Sequence, residues 1–301
     1  MQSPQRDKLQ RVTYLERLRL RLAGHVDARR AVGARDVGPA AAEAFGLRAD
    51  QVTVLIHSGS RGLGHQVASD FIKEMTKAMG RYGIKVPDRQ LGCVPIRSPE
   101  GNAYLGAMAA AANFAFANRQ VMTHWARESF MEALEISPAD LGMGVVYDVC
   151  HNIAKFETFE TEEGKVRALV HRKGATRAYP KGHPQVALRY RAVGQPVLIP
   201  GDMGRYSYVL AGSAGAETFG SSCHGAGRKM SRREAKKTAR GRRLLDELEE
   251  HGVVVMAAGM ATVAEEMPEA YKDVADVVDV VAKAGISRKV ARLEPLGVIK
   301  G

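Results

Sequence analysis

The sequence predicts an α+β fold of mixed sheets and helices, and three observations carry that expectation. Short β-branched runs, among them QVTVLIH, VRALVH, QPVLI and GVVVM, end in glycine or proline turns. Stretches dense in strong helix formers stand between them, the longest running from Ser98 to Leu134. No fixed period relates the segments, so a repeat architecture is not expected.

Length and composition set the frame. At 301 residues the chain can bury a sizeable core, and the expected organisation is a divergent basic leader over residues 1–38 followed by one main domain over 39–301. No stretch approaches about eighteen uninterrupted apolar residues, which argues against a membrane-spanning helix. The opening MQSPQRDKLQR has no apolar signal core, and Cys93, Cys150 and Cys223 are scattered without paired spacing. A cytoplasmic protein with reduced thiols is expected. Lys and Arg number 44 against 33 Asp and Glu, a net +11, which favours a polyanionic partner or simply a well-solvated surface.

Taken in order, Leu9, Val12, Leu15, Leu18, Leu20 and Leu22 space a basic amphipathic helix in the leader. AAAEAFGL reads as a helix, and QVTVLIH as a strand that ends in a glycine-rich turn before a helix through Phe71 and Met75. Ser98 and Pro99 begin a long helix, expected to be largely buried. MGVVYDVCHNIAKFE and GKVRALVHRKGATRAYP read as strands, and QPVLIPGDMGRYSYVLAGS as two strands around a Pro-Gly turn. MSRREAKK reads as a basic-faced helix and GVVVMAAG as one more strand.

Several positions could carry chemistry. His57 ends a strand and is followed by Gly59, Arg61, Gly62 and Gly64; it is either a metal or anion ligand or a capped strand end. The same glycines invite a dinucleotide-binding reading, but G-x-x-G-x-G is not its fingerprint. On an extended strand Asp148 and Cys150 share one face and His151 takes the other, so the three cannot converge on one ion. His151 with Asn152 offers an imidazole for a metal and an amide for a phosphate oxygen. His171, Arg172, Lys173 and Arg177 surround a glycine in an anion-friendly or merely solvated loop. The turn Pro200, Gly201, Asp202 and Met203 can present backbone amides, with hydroxyls at Ser207 and Tyr208. His224 stands among small residues, Gly225, Ala226 and Gly227, which leave room for an electrophile, with Arg228 and Lys229 beside it to offset phosphoryl charge.

Together the blocks LIHSGSRGLGHQ, GNAYLGAMAAAANFAFANRQ, YDVCHNIAKFE, VHRKGATRAYP, PVLIPGDMGRYSYVL, SSCHGAGRKMSR and GVIKG, in this order, resemble the RtcB family of GTP-dependent RNA ligases. The likeness runs from about residue 40 to 301. It implies a catalytic domain over 39–301 that joins RNA 3′-phosphate or 2′,3′-cyclic-phosphate ends to 5′-hydroxyl ends, as in tRNA halves or broken RNA. It further implies that His224 is guanylylated by GTP and that His57 and His151 bind manganese. His151, Asn152, Pro200, Gly201, Asp202, Met203, Ser207, His224, Gly225, Ala226, Gly227 and Lys300 contact GTP, and Arg61 and Arg228 grip the RNA end or the triphosphate.

The family's Asp-x-x-Cys and Asn-His-Phe-Leu-Glu blocks, which supply further metal ligands, are absent from this sequence: no cysteine has Asp three residues earlier, and His25 lacks the neighbours that would place it in the site. The expectation is a member lacking part of the family's N-terminal region; the alternative is a catalytically impaired relative that only binds RNA.

Overall fold

The computed structural model describes residues 25–32, 38–88 and 91–300. Strands are β1 (His25–Val32), β2 (Val52–His57), β3 (Asn152–Thr161), β4 (Gly164–Lys173), β5 (Ala175–Arg177), β6 (Pro196–Ile199), β7 (Ser207–Gly212), β8 (Ser221–Cys223), β9 (Val254–Ala257) and β10 (Ser287–Lys300). Helices are α1 (Pro39–Ala44), α2 (Gly62–Ala78), α3 (Pro99–Leu134), α4 (Pro138–Leu141), α5 (Arg232–Thr238), α6 (Leu244–Glu250), α7 (Met260–Glu265) and α8 (Val274–Lys283). The fold is α+β. None of the described helices is long and apolar enough to cross a membrane. The described residues divide into two compact units: those from His25 to Ile56 together with those from Trp125 onward, and those between His57 and His124.

The first unit is organised by a sheet in the order β2-β1-β10-β7-β6, with β9 running parallel to β10. β10 is its centre, antiparallel to β1 and to β7. Pro295 within it lacks a backbone N–H, and it pairs with Arg29 where the register of β1 shifts between Ala28 and Arg29, an irregularity that tolerates the missing donor. Buried clusters pack on this frame. One joins Phe45 and Leu47 to Tyr190, Val209 and Leu293; another joins Met203, Leu248, Val253 and Met267 to Val298. In α8, Val274, Val278 and Val281 are buried at helical spacing, and Asp273 caps the helix by accepting the Ala275 N–H at 2.8 Å.

β3 and β4 form a hairpin braced by a buried ion pair. Arg172 donates to both carboxylate oxygens of Glu157 at 2.8 and 2.7 Å, and to the Phe219 carbonyl and Ser221 Oγ at 2.9 and 3.0 Å. It is therefore structural and unavailable to an external anion. The strand expected over MGVVYDVCH does not form; β3 starts only at Asn152. Side chains take the carbonyls of that segment: Arg127 Nε donates to Met143 at 2.9 Å, Arg189 to Val146 at 2.9 Å, and the Tyr190 hydroxyl also to Val146. With no ladder there, the alternate-face placement of Asp148, Cys150 and His151 does not apply.

Of the leader expected over residues 1–38, only 25–32 and Gly38 are described, and residues 25–32 are core strand β1. The helix expected through Leu9–Leu22 lies outside the described residues.

In the second unit, Ser98 Oγ accepts the Gly101 N–H at 3.0 Å and so caps α3, as its sequence predicts. α2 and α3 exchange contacts through the rings of Phe71 and Tyr104, 5.4 Å apart. The expectation that α3 is largely buried fails: Met122 and Ala126 are buried, but Phe114, Val121 and Leu134 are about half exposed.

Candidate active site

The ladder between β5 and β8 pairs Ala175 with Cys223, which brings the residue before β5, Gly174, beside the residue after β8, His224. Gly174 has φ +70° and donates its N–H to the His151 carbonyl at 3.0 Å. A Cβ there would lie 3.4 Å from Cε1 and 3.6 Å from Nδ1 of His224. The His151 and His224 rings lie 4.5 Å apart, tilted by 47°. Three separate stretches, VCHN, HRKGATR and SSCHGAG, thus meet at one imidazole.

Burial pushes the pKa of His224 below the usual histidine range; a hydrogen bond to the Gly174 backbone offsets part of this, and the Lys173 charge adds to the depression. The ring is neutral near neutral pH. Its Cε1–Nδ1 edge faces Gly174.

The turn after β6 lies against this corner. A Cβ on Gly225 would stand a tight 3.2 Å from the Pro200 carbonyl oxygen, and one on Gly201 would stand 1.8 Å from that of Tyr206, so Gly201 demands glycine. Ser207 Oγ accepts the Gly201 N–H at 2.9 Å. Asp202 spends its carboxylate within the loop, accepting from Gly204 N and Arg205 N at 3.0 and 2.9 Å and from Arg205 Nε at 2.5 Å. Met203 is core, leaving only its backbone to face a ligand. Fully buried Arg29 braces the loop from β1, donating to the carbonyls of Arg205 and Asp202 at 3.0 and 3.2 Å.

The small residues after His224 do more than leave space. Ala226 is buried with Val197, Ile199 and Val274, and Gly227, at φ +74°, accepts the Lys272 N–H at 3.0 Å. The ring itself is partly enclosed rather than open, because His151 and Gly174 occupy one side. Asn152 is exposed opposite Lys173, and Lys300, at the end of β10, pairs with His25 and Ala257 with its side chain mostly buried.

Arg228 is committed to protein partners: Met230 O at 3.1 Å, Glu265 O at 2.6 Å, the Tyr271 hydroxyl at 2.9 Å and Glu266 at 3.3 Å. In the second unit, His57 closes β2, and Arg61 precedes α2 at φ +52°, a strained conformation for a side chain of its size. The loop between them is pinned by α3: Asn118 Nδ2 donates to Ser58 Oγ and Gly59 O at 3.1 and 3.0 Å, and Arg119 donates to Ser58 O at 3.1 Å. Among the described residues no group of three or more His, Cys, Asp and Glu side chains is placed to hold a metal ion.

Sequence reasoning placed Lys173 and the glycine beside it, Gly174, in an anion-friendly or solvated loop without linking them to His224, and it missed Arg29 as a builder of this site. The glycine between two strand-like runs in HRKGATR was the available signal for Gly174. Arg29 gave none, since HVDARRAV, with three charged side chains, does not read as core.

Residues 34–301 match the family described as tRNA-splicing ligase RtcB. The chain is 58% identical over 262 residues to a tRNA-splicing ligase RtcB of Thermococcus kodakarensis, covering 86% of this chain and 54% of that protein. Its counterpart in Archaeoglobus fulgidus is 56% identical over 259 residues, covering 85% and 54%. The one in Pyrococcus furiosus is 59% identical over 263 residues, covering 86% of this chain but 27% of the relative. The chain therefore spans about half the length of the first two and under a third of the last.

Proposed function

The chain belongs to the RtcB family, and from that membership we propose that it carries the nucleotide-transfer centre of an RNA ligase, with His224 as the nucleophile. The observation that carries this reading is the neutral His224 imidazole held against Gly174 and His151. The ring nitrogen not engaged by Gly174 attacks the α-phosphorus of GTP; an N–P bond forms, the bond to the bridging oxygen breaks, and pyrophosphate leaves with its electron pair. An oxygen of an RNA 3′-phosphate then displaces the histidine from that phosphorus, giving RNA-(3′)pp(5′)G. The 5′-hydroxyl of a second RNA end loses its proton and attacks the 3′-phosphorus, expelling GMP and forming the phosphodiester. GTP is held by the backbone of Pro200–Met203 and Gly225–Gly227, with Asn152, Ser207 and Lys300 as further contacts.

Manganese, which the family likeness implies, does not fit the described residues of this chain alone. His57 and His151 are two imidazoles, fewer ligands than a divalent ion needs, and among the described residues no group of three or more ligating side chains forms. That shortfall favours a second reading, an RNA-binding relative without ligase chemistry of its own.

Incubation with GTP labelled at the α-phosphate, manganese supplied, separates the two. Covalent label on the wild-type chain, lost in His224→Ala, is the expected result; an unlabelled wild type that still binds RNA with a steep salt dependence establishes the second reading instead.

A further inference from the structure

Helix α5 divides its positive charge between two faces. Arg232 and Lys236, one turn apart, both reach Glu265, at 3.6 and 2.5 Å. Arg233 and Lys237 are also one turn apart, and Arg240 follows in the turn after the helix, so the three fall at i, i+4 and i+7 on a single stripe. All three are exposed, and none is paired with a described acid. Ala235 and Ala239 form the buried side of the helix, opposite the stripe.

Acids are plentiful nearby but face elsewhere. Arg242 takes Glu247 and Glu269, and Arg243 takes Asp246. Glu234, the acid of α5 itself, sits in the first turn, where its N–H donates to Ser231 Oγ at 3.2 Å. Three like charges at this spacing repel one another, and a bound polyanion relieves that repulsion while releasing its own counterions.

The stripe is tethered to the reactive histidine. At most about 25 Å of extended chain separates His224 from Ser231. That connection is fixed midway by the Arg228–Tyr271 bridge and by Lys229 N donating to Ala270 O at 2.9 Å. Arg228 itself, with its donors committed, leaves phosphate contact to other cations. We propose that Arg233, Lys237 and Arg240 track the phosphates of single-stranded RNA and steer its end toward His224. The choice of RNA as the polyanion rests on the ligase reading above.

The test is fluorescence anisotropy of a labelled single-stranded oligoribonucleotide with the full chain across a salt series. The triple variant Arg233→Gln, Lys237→Gln, Arg240→Gln should weaken binding at least about tenfold at low salt and make the slope of log K against log salt shallower by about 2, three contacts at roughly 0.7 each. Arg233→Lys, Lys237→Arg and Arg240→Lys together keep the charge and should retain the parent slope, which separates lost contacts from lost folding. Lys236→Gln on the paired face should change the slope less than any single stripe variant. An unchanged slope in the triple variant, or an equal loss from Lys236→Gln, overturns the stripe. Labelling of the unaltered chain by GTP reports on the ligase reading separately: no label with a stripe-dependent slope sinks that reading and keeps the stripe, whereas label with an unaffected slope does the reverse.

Discussion

In the sheet unit Val290, Val298 and Ile299 of β10 are 0% exposed, while in the helical unit Leu63, Ile72, Phe114 and Val121 remain 40–49% exposed. The two regions solve the backbone problem differently. A central strand satisfies its N–H and C=O groups only through neighbours, so forming the sheet at all brings partners against it and buries its side chains. A helix satisfies its backbone internally and persists with an apolar flank still wet. Burial in the first region is thus a condition of its existence, and in the second it is optional.

The largest test of that contrast is the buried pair of the β3–β4 hairpin, whose side chains are 2% and 1% exposed. Arg172→Met strands Glu157 without its partner and should cost about 3–5 kcal/mol in urea unfolding; a loss below about 1 kcal/mol would show that the hairpin does not depend on the pair. Truncation sharpens the comparison directly. Ile299→Ala should cost about 2–5 kcal/mol, whereas Phe114→Ala should cost under about 1 kcal/mol in the same assay, and equal costs would erase the distinction.

The smallest expected effect concerns the site. Because burial and Lys173 hold the His224 pKa below the usual histidine range, the neutral nucleophile persists to lower pH than an ordinary histidine allows. Lys173→Gln removes one depressing cause, so the pKa rises and the acid limb of the GTP-labelling profile should move to higher pH. An acid limb that does not move would mean that Lys173 does not act on the ring.

Much of this was legible in the sequence, and the exceptions share a cause. The Ser98 cap, the strands flanking PGDMGRYS and the α5 helix announce themselves through local chemistry, and local chemistry decided them. His224 was conspicuous because small residues surround a reactive ring. MGVVYDVCH reads as a strand yet forms none, because Arg127, Arg189 and Tyr190 claim its carbonyls from distant positions. The segment 25–32 looked like leader, since Asp27, Arg29 and Arg30 break its apolar pattern; only in three dimensions does Arg29 find Asp27 and the carbonyls of Asp202 and Arg205. The apposition of Gly174 and His224 depends on a short ladder between strands far apart in the chain, and spacing alone does not encode it.

β10 has one more consequence, for how the molecule assembles. It is the strand against which β1, β7 and β9 all pair, and it follows each of them in the sequence, so that His25 waits for Lys300. During synthesis those earlier strands leave the ribosome with open edges and no centre, a slow, non-local closure that invites chaperone engagement until the last ladder zips shut.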